Sequence, residues 1–261
     1  MEGIQSLHKR IADLEKLLVM GGGAVGPELR RTLGPDIRKT FVPAWRRVTE
    51  GEPRWHIALA ITVALLLQIP LPGRLVLFRP TWLLPVLEAV LLVIAVALDQ
   101  GRIDRESKLL RGLGLAATGI LSLANAWSAG RLVIELVNGT EGHTAGPLLT
   151  SGAVIWLTNV IVFSLWYWEL DRGGPAARAH GVHDSPDFVF TQMTSPDLAP
   201  RDWEPIYPDY AYLAFTNATA FSPTDVMPMT RWAKTAMTLQ ALVSIVVVGL
   251  VVARAVSVLG S

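Results

Sequence analysis

Five long apolar segments constrain this chain more than any other feature of its sequence. They run from about residue 55 to 71, 81 to 98, 110 to 130, 145 to 168 and 233 to 256. Each is close to the roughly 20 residues that an α-helix needs to cross about 30 Å of hydrocarbon. Only 17% of the 261 residues are charged, against about 25% in soluble domains. These segments predict an all-α integral membrane protein with about five transmembrane helices in a lipid bilayer.

Several functional classes are disfavoured by composition. The net charge is only +1, so no global field favours nucleic acid. The chain has no cysteine, which excludes disulfides, thiolate metal sites and cysteine nucleophiles. No spacing supports a catalytic triad or a phosphate-binding loop, so neither an enzyme nor a cofactor is expected. His180 and His183 lie three positions apart beside Asp184, a spacing compatible with a metal, but in a proline-rich polar loop (residues 169–207) a solvated role is favoured.

The region before the first apolar segment divides into two parts. Residues 1–20 carry apolar residues at alternating spacings of three and four, which suits a short amphipathic or coiled-coil helix. Residues 21–54 begin with three glycines, a flexible joint, and then hold seven basic residues between regularly spaced apolar ones. That pattern predicts a basic interfacial helix on an anionic membrane surface, with a solvated linker helix as the alternative. Three transmembrane helices are then expected within residues 55–137.

Glu88 is the one acidic residue well inside a predicted span. A charge there is expensive, so an intramembrane acid is a candidate functional site. The alternative is a structural carboxyl, either protonated or hydrogen-bonded to a polar group such as Gln68, Asn125 or Asn159. The sequence leaves the two roles open.

Residues 145–256 are predicted to form a pore-like module: a transmembrane helix, a polar loop, a re-entrant helix and loop, and an inner helix. Residues 208–219 suit a helix of about three turns, which is too short to cross the membrane. A bend with two prolines follows at residues 220–228, and the last apolar segment comes next. Irregular backbone at membrane depth persists only where it is buried in protein or lines water. The layout is therefore typical of a re-entrant pore loop.

Residues 208–256 resemble the pore helix, selectivity filter and inner helix of the potassium-channel family. The sequence TAFSPTD stands where that family has TTVGYGD, and Pro228, Thr230 and Trp232 match the residues that follow the filter. The resemblance implies the pore and filter residues Thr219, Ala220, Phe221, Ser222, Pro223, Thr224 and Asp225. It also implies an inner-helix hinge at Ser244, with Gly249 close by.

The departures from the family pattern bear on selectivity. Potassium selectivity depends on stacked backbone carbonyls, and the two glycines that ease this conformation are here Ser222 and Thr224. Pro223 also has its φ fixed near −65°. A ring of Asp225 carboxylates would favour cations, while Phe221 suits an apolar constriction. The expected conductance is thus poorly selective among cations, or tightly gated, although Asp225 also suits a helix cap or a pair with Arg231.

One hairpin cannot enclose a pore, so the resemblance implies a homo-oligomer, with a tetramer favoured.

Basic residues place the N-terminus in the cytoplasm, which would open the re-entrant loop to the cytoplasm, opposite to potassium channels. Either the pore is inverted, the charge rule fails, or the span count is off by one.

The alternatives to a channel are a non-conducting channel-derived scaffold or sensor, and a small transporter that uses Glu88. The compact chain suits a multi-pass protein of the bacterial inner membrane.

Overall fold

A computed structural model describes residues 43–53, 55–98, 102–103, 108–140, 144–183, 185–220 and 225–259. The chain divides into two compact units, residues 1–43 and 44–261. The first unit, with the predicted amphipathic helix at residues 1–20, lies outside the described residues apart from Pro43. Within the predicted interfacial segment, the described part forms a single 3-10 turn at Ala44–Arg46 and a short strand instead of a continuous helix.

The second unit is mostly helical. Its helices are α1 (Trp55–Gln68), α2 (Leu83–Leu98), α3 (Lys108–Asn138), α4 (Ala145–Leu170), α5 (Pro175–Ala179), α6 (Thr191–Thr194), α7 (Tyr207–Ala220) and α8 (Arg231–Leu259). A second 3-10 turn covers Asp171–Gly173. Four two-residue strands form two antiparallel pairs: β1 (Glu52–Pro53) with β2 (Arg102–Ile103), and β3 (Phe188–Val189) with β4 (Met227–Pro228).

Within the described ranges, three helices are long and apolar enough to cross a membrane, over Arg111–Asn138, Ala145–Gly173 and Arg231–Val258. They correspond to α3, α4 and α8, and they are compatible with a membrane location. The two other predicted spans form shorter apolar helices, since α1 has 14 residues and α2 has 16. Prolines in the intervening segment end α1 and precede α2, which leaves both helices shorter than the apolar segments that contain them.

Helix α4 lies at the centre of the second unit and packs against α1, α3, α7 and α8. Its contact with α8 is close at Gly152, where an added Cβ would lie 2.8 Å from side-chain atoms of Val251. A residue without a side chain is therefore needed for this approach. Fourteen residues of α4 are buried, and its most apolar stretch is 67% buried within the chain, against 22% for that of α8. Helix α4 is thus a core helix, whereas α8 presents most of its apolar surface outward.

Two apolar clusters fill the interior. The larger joins the second half of α4 to α7 and the start of α8, with Tyr167, Phe188, Tyr210 and Leu213 fully enclosed. The smaller joins the start of α4 to the end of α3 and the second half of α8.

The segment between α4 and α7 was predicted to lack regular structure, and here the structure differs. It contains α5, β3 and α6, and it buries charged residues together with Phe188 and Phe190. Its order depends on contacts with residues distant in sequence, which local periodicity cannot reveal.

Candidate functional site

Helices α7 and α8 begin at the same end of the helical unit. The hydroxyl of Tyr207, at the start of α7, lies 2.8 Å from Ser164 Oγ on α4. Further along α7, the ring of Phe215 packs 5.8 Å from that of Trp156, so α7 runs antiparallel to α4. At the start of α8, Trp232 Nε1 donates to Asp187 Oδ1 at 2.8 Å. Helix α7 therefore runs from this end of the unit between α4 and α8. After β4, the chain begins α8 at the same end at which α7 began.

The residues predicted to form the filter are described only at their flanks. Thr219 lies exposed in the last turn of α7, and its hydroxyl donates to the carbonyl of Phe215 at 2.9 Å. Ala220 ends α7, and Asp225 is an exposed residue in a bend before β4. Phe221, Ser222, Pro223 and Thr224 lie outside the described residues.

The two predicted hinge residues lie on different sides of α8, which is a single helix through both positions. Ser244 is fully buried and accepts a hydrogen bond from Asn159 Nδ2 of α4 at 3.1 Å. Gly249 is exposed, and an added Cβ there would meet no described atom within 4 Å. Ser244 thus belongs to the contact with α4, and Gly249 faces away from the chain.

A buried network of neutral polar groups fixes α7 between α4 and α8. We call it the amide network, and it comprises Asn159, Tyr167, Asn217, Gln240 and Ser244. Gln240 Oε1 accepts from Tyr167 Oη at 2.7 Å and from Asn217 Nδ2 at 2.8 Å. Gln240 also donates through Nε2 to a carbonyl of α7 at 2.8 Å. One glutamine therefore holds three helices together.

Asn217 and Asn159 extend the amide network to the backbone. Asn217 Nδ2 donates to the Met237 carbonyl at 2.9 Å, and Asn159 Nδ2 donates to the Gln240 carbonyl at 3.3 Å. These bonds satisfy buried polar groups without any net charge, which suits an environment of low dielectric constant.

A second buried network is charged and lies where α4, α7 and α8 meet the connecting segments. We call it the charged junction, and it comprises Glu52, Asp171, Arg172, Arg178 and Asp187. Arg178 forms an ion pair with Glu52 at 2.9 Å, and the second oxygen of Glu52 accepts from Trp168 Nε1 at 2.8 Å. That oxygen also accepts the backbone N–H of Tyr207 at 3.0 Å. Glu52 thus ties strand β1 to both α4 and α7.

Asp171 and Asp187 connect the rest of the charged junction. Asp171 Oδ2 accepts from Tyr210 Oη at 2.6 Å, and Asp171 Oδ1 accepts the N–H of Asp187 at 2.9 Å. Asp187 accepts the N–H of Arg172 at 2.8 Å, and Arg172 donates to the Trp45 carbonyl at 2.6 Å. Arg172 holds a positive φ of 52°, a conformation that is uncommon for residues other than glycine.

Electrostatics keep Arg178 ionised at the centre of the junction. Burial alone lowers the pKa of the Arg178 guanidinium, but Tyr210, Glu52 and Asp171 raise it, and their combined effect is the larger. Arg178 therefore stays charged. Burial raises the pKa of the Glu204 carboxyl at the edge of this region, against the opposing effects of Thr49 and the two arginines.

Glu88 is fully buried in α2. Its Oε2 accepts a hydrogen bond from Gln68 Nε2 of α1 at 2.6 Å, so the predicted alternative of a hydrogen bond to Gln68 is present in the structure. Its Oε1 is also buried and has no hydrogen-bond partner in the described part of the chain. In the described part of the chain Glu88 forms no hydrogen bond with the hairpin of α7 and α8, and the sequence-predicted residues therefore fall into separate groups.

Among the described residues, no group of three histidine, aspartate or glutamate side chains could hold a metal ion. His180 and His183 are described, while Asp184 lies outside the described residues.

Sequence reasoning missed Gln240 and the whole charged junction. A signal for Gln240 was present, because an uncharged amide inside an apolar segment often forms a hydrogen bond between helices. The junction had no such signal, since Glu52 and Arg178 are 126 positions apart.

Comparison of the chain with protein-family models, with characterised proteins and with solved structures finds no match.

Proposed function

We propose that the chain is a subunit of an oligomeric ion channel, in which α3, α4 and α8 cross the membrane, α1 and α2 cross it together with the apolar residues that flank them, and α7 is a re-entrant helix. The observation that carries the proposal is the placement of α7. This helix has 14 residues, about 21 Å, and it starts at the same end as α8. The amide network holds its buried side chains against α4 and α8. A short helix that enters a bundle and returns is typical of ion pathways in membranes.

Assembly of several copies would complete the pore. Helix α8 is the most apolar of the three long helices and the least buried within the chain. A groove of about 390 Å³ lies between α7 and α8, lined by Asn217, Pro228, Lys234, Met237 and four α8 residues further along. A neighbouring copy packed against this side would cover the groove. We propose a homotetramer, as the resemblance to potassium channels implies.

The proposed conductance is cationic and poorly selective, or tightly gated. Asp225 is exposed beyond the end of α7, where four carboxylates around an axis would attract cations. Phe221 is the proposed apolar constriction. The replacement of the filter glycines by Ser222 and Thr224 argues against a potassium-type carbonyl ladder.

A flux assay on purified protein in liposomes tests the proposal. Potassium, sodium and chloride gradients are compared for the unmodified chain, Phe221→Ala and Asp225→Asn. We expect flux of both cations that rises in Phe221→Ala and falls in Asp225→Asn. Asp197→Asn, which removes an exposed carboxylate in another turn, is the matched control and should leave the flux unchanged.

Two outcomes would contradict the channel. Chloride flux without cation flux would exclude the role proposed for Asp225. The absence of flux in all variants, from a sample shown to be oligomeric, would favour a non-conducting scaffold or sensor built on the same hairpin.

A further inference from the structure

Glu88 has surroundings that an ionised carboxylate does not tolerate. Its exposed fraction is 0%, and it lies on α2 between α1 and α3, two apolar helices that pack against α2. A buried carboxylate without a cation loses its hydration and gains little in return. A buried acid in such a place is therefore neutral or bound to a cation.

No cationic partner is present in the described part of the chain. From α1, the polar group facing Glu88 is Gln68. On α3 the described charged side chains are engaged elsewhere or exposed: Glu135 pairs with Arg74 and Arg131, and Arg111 is exposed. No described arginine, lysine or histidine forms an ion pair with Glu88. The carboxyl is therefore neutral, with a proton on one oxygen.

The hydrogen bonds indicate which oxygen carries that proton. Oε2 accepts the amide N–H of Gln68 at 2.6 Å, so it acts as the carbonyl oxygen. The proton then belongs to Oε1, which is buried and has no partner among the described residues. A buried polar atom without a partner requires an explanation, and a water molecule that accepts a hydrogen bond from the O–H group supplies one.

A small cavity with both polar and apolar lining residues adjoins the same glutamine, and Glu88 itself is not among those residues. The volume of the cavity is about 20 Å³, and its lining includes Gln68, Leu84, Asn125 and Thr158. That volume is enough for about one water molecule. Asn125 is buried and lines the cavity, so its side-chain amide is placed to hold this water. Leu84 lies one turn before Glu88 on α2.

We infer that Glu88 is an exchangeable proton-binding site, and that a water molecule from the cavity beside Gln68 and Asn125 reaches its Oε1. In the release step this water molecule lies against Oε1, the O–H bond at Oε1 breaks, the electron pair stays on the carboxylate, and the water accepts the proton as hydronium. Reprotonation reverses the step. This site is separate from the hairpin of α7 and α8 and does not depend on ion conduction there.

Infrared spectroscopy of the protein in alkyl maltoside micelles, which contain no ester carbonyl, tests the inference at neutral pH. A protonated carboxyl gives a C=O stretching band that a carboxylate lacks. We expect one such band to be lost in Glu88→Gln, to be kept in Asp197→Asn, and to shift when H₂O is replaced by D₂O. Asn125→Leu, which fills the cavity, should keep the band and slow its shift in D₂O.

Three results would overturn the inference. A spectrum in which Glu88→Gln removes no protonated-carboxyl band would mean that Glu88 is ionised and bound to a cation. A band that never shifts in D₂O would mean a sealed structural acid. Exchange as fast in Asn125→Leu as in the unmodified chain would exclude the cavity as the route. If Glu88→Gln does not fold, Glu88→Asp serves in its place, because it displaces the band instead of removing it.

Discussion

The amide network and the charged junction both hold α7, but they do so with different chemistry. The amide network uses neutral side chains along α4, α7 and α8, and each of its bonds joins one helix to another. The charged junction uses carboxylates and guanidinium groups where these helices meet connecting segments. Neutral amides tolerate an apolar environment at small cost, whereas buried ions require a complete set of partners.

The difference indicates that the two networks have separate structural roles in the second unit. The amide network sets the packing of α7 along its length without placing charge among apolar helices. The charged junction fixes where the connecting segments are held, because every ion depends on a partner from another part of the chain. Removal of one member should therefore affect the two networks unequally.

Arg178→Met should have the largest effect, because it leaves Glu52 buried without its cation. Loss of one partner of a buried ion pair costs about 3–5 kcal/mol. Denaturant titration in detergent micelles measures the free energy of unfolding, with Arg201→Gln, an exposed arginine, as the control. The double variant Glu52→Gln, Arg178→Met should lose less than Arg178→Met alone. An equal or greater loss of unfolding free energy in the double variant would mean that the unpaired Glu52 carboxylate is not the cause of the loss in Arg178→Met.

Gln240→Leu should have an intermediate effect. It removes three hydrogen bonds from the amide network, and bonds between helices in membranes contribute about 0.6 kcal/mol each on average. We expect a loss of about 2 kcal/mol in the same titration. Thr235→Val, at an exposed position of α8 outside the groove, should change stability little. A loss as large as that of Arg178→Met would contradict the distinction between the two networks.

Glu204→Gln should have the smallest effect, visible only as a change in pH dependence. Burial raises the pKa of Glu204 in the folded chain above its unfolded value, so the folded state binds the proton more tightly. The contribution of Glu204 to the free energy of unfolding is therefore present in mild acid. It declines as the pH rises from the unfolded-state pKa of this carboxyl to its folded-state pKa. Unfolding midpoints measured from mildly acidic to neutral pH should decline less in Glu204→Gln. A steeper decline in the variant would contradict the assigned direction.

The sequence predicted the structural features that depend on a continuous local pattern of residues. The apolar segments predicted a largely helical chain with helices able to cross a membrane, and α3, α4 and α8 are long and apolar enough to do so. The short helix ending at Ala220 was also expected from residues 208–219, and α7 covers that stretch. The polar partner of Glu88 was one of three named possibilities because an intramembrane acid needs a nearby donor.

The remaining features depend on contacts between distant residues. Asp171, Asp187 and Tyr210 are ordinary polar residues in sequence, and only the fold brings their atoms together. The end of α3 was also placed too early, at residue 130. The helix continues to Asn138 because Glu135 is paired with Arg74 and Arg131, which makes a charged residue compatible with the last turns.

The position of Glu52 in the charged junction has a consequence for biosynthesis. Its partners include Trp168, Arg178 and Tyr207, so Glu52 leaves the ribosome more than 100 residues before any of them. Chains fold as they are made, N-terminal parts first. Until α4 and the start of α7 have been translated, this carboxylate has none of these final partners. The order of translation therefore makes closure of the junction a late step, after the first three helices have been made.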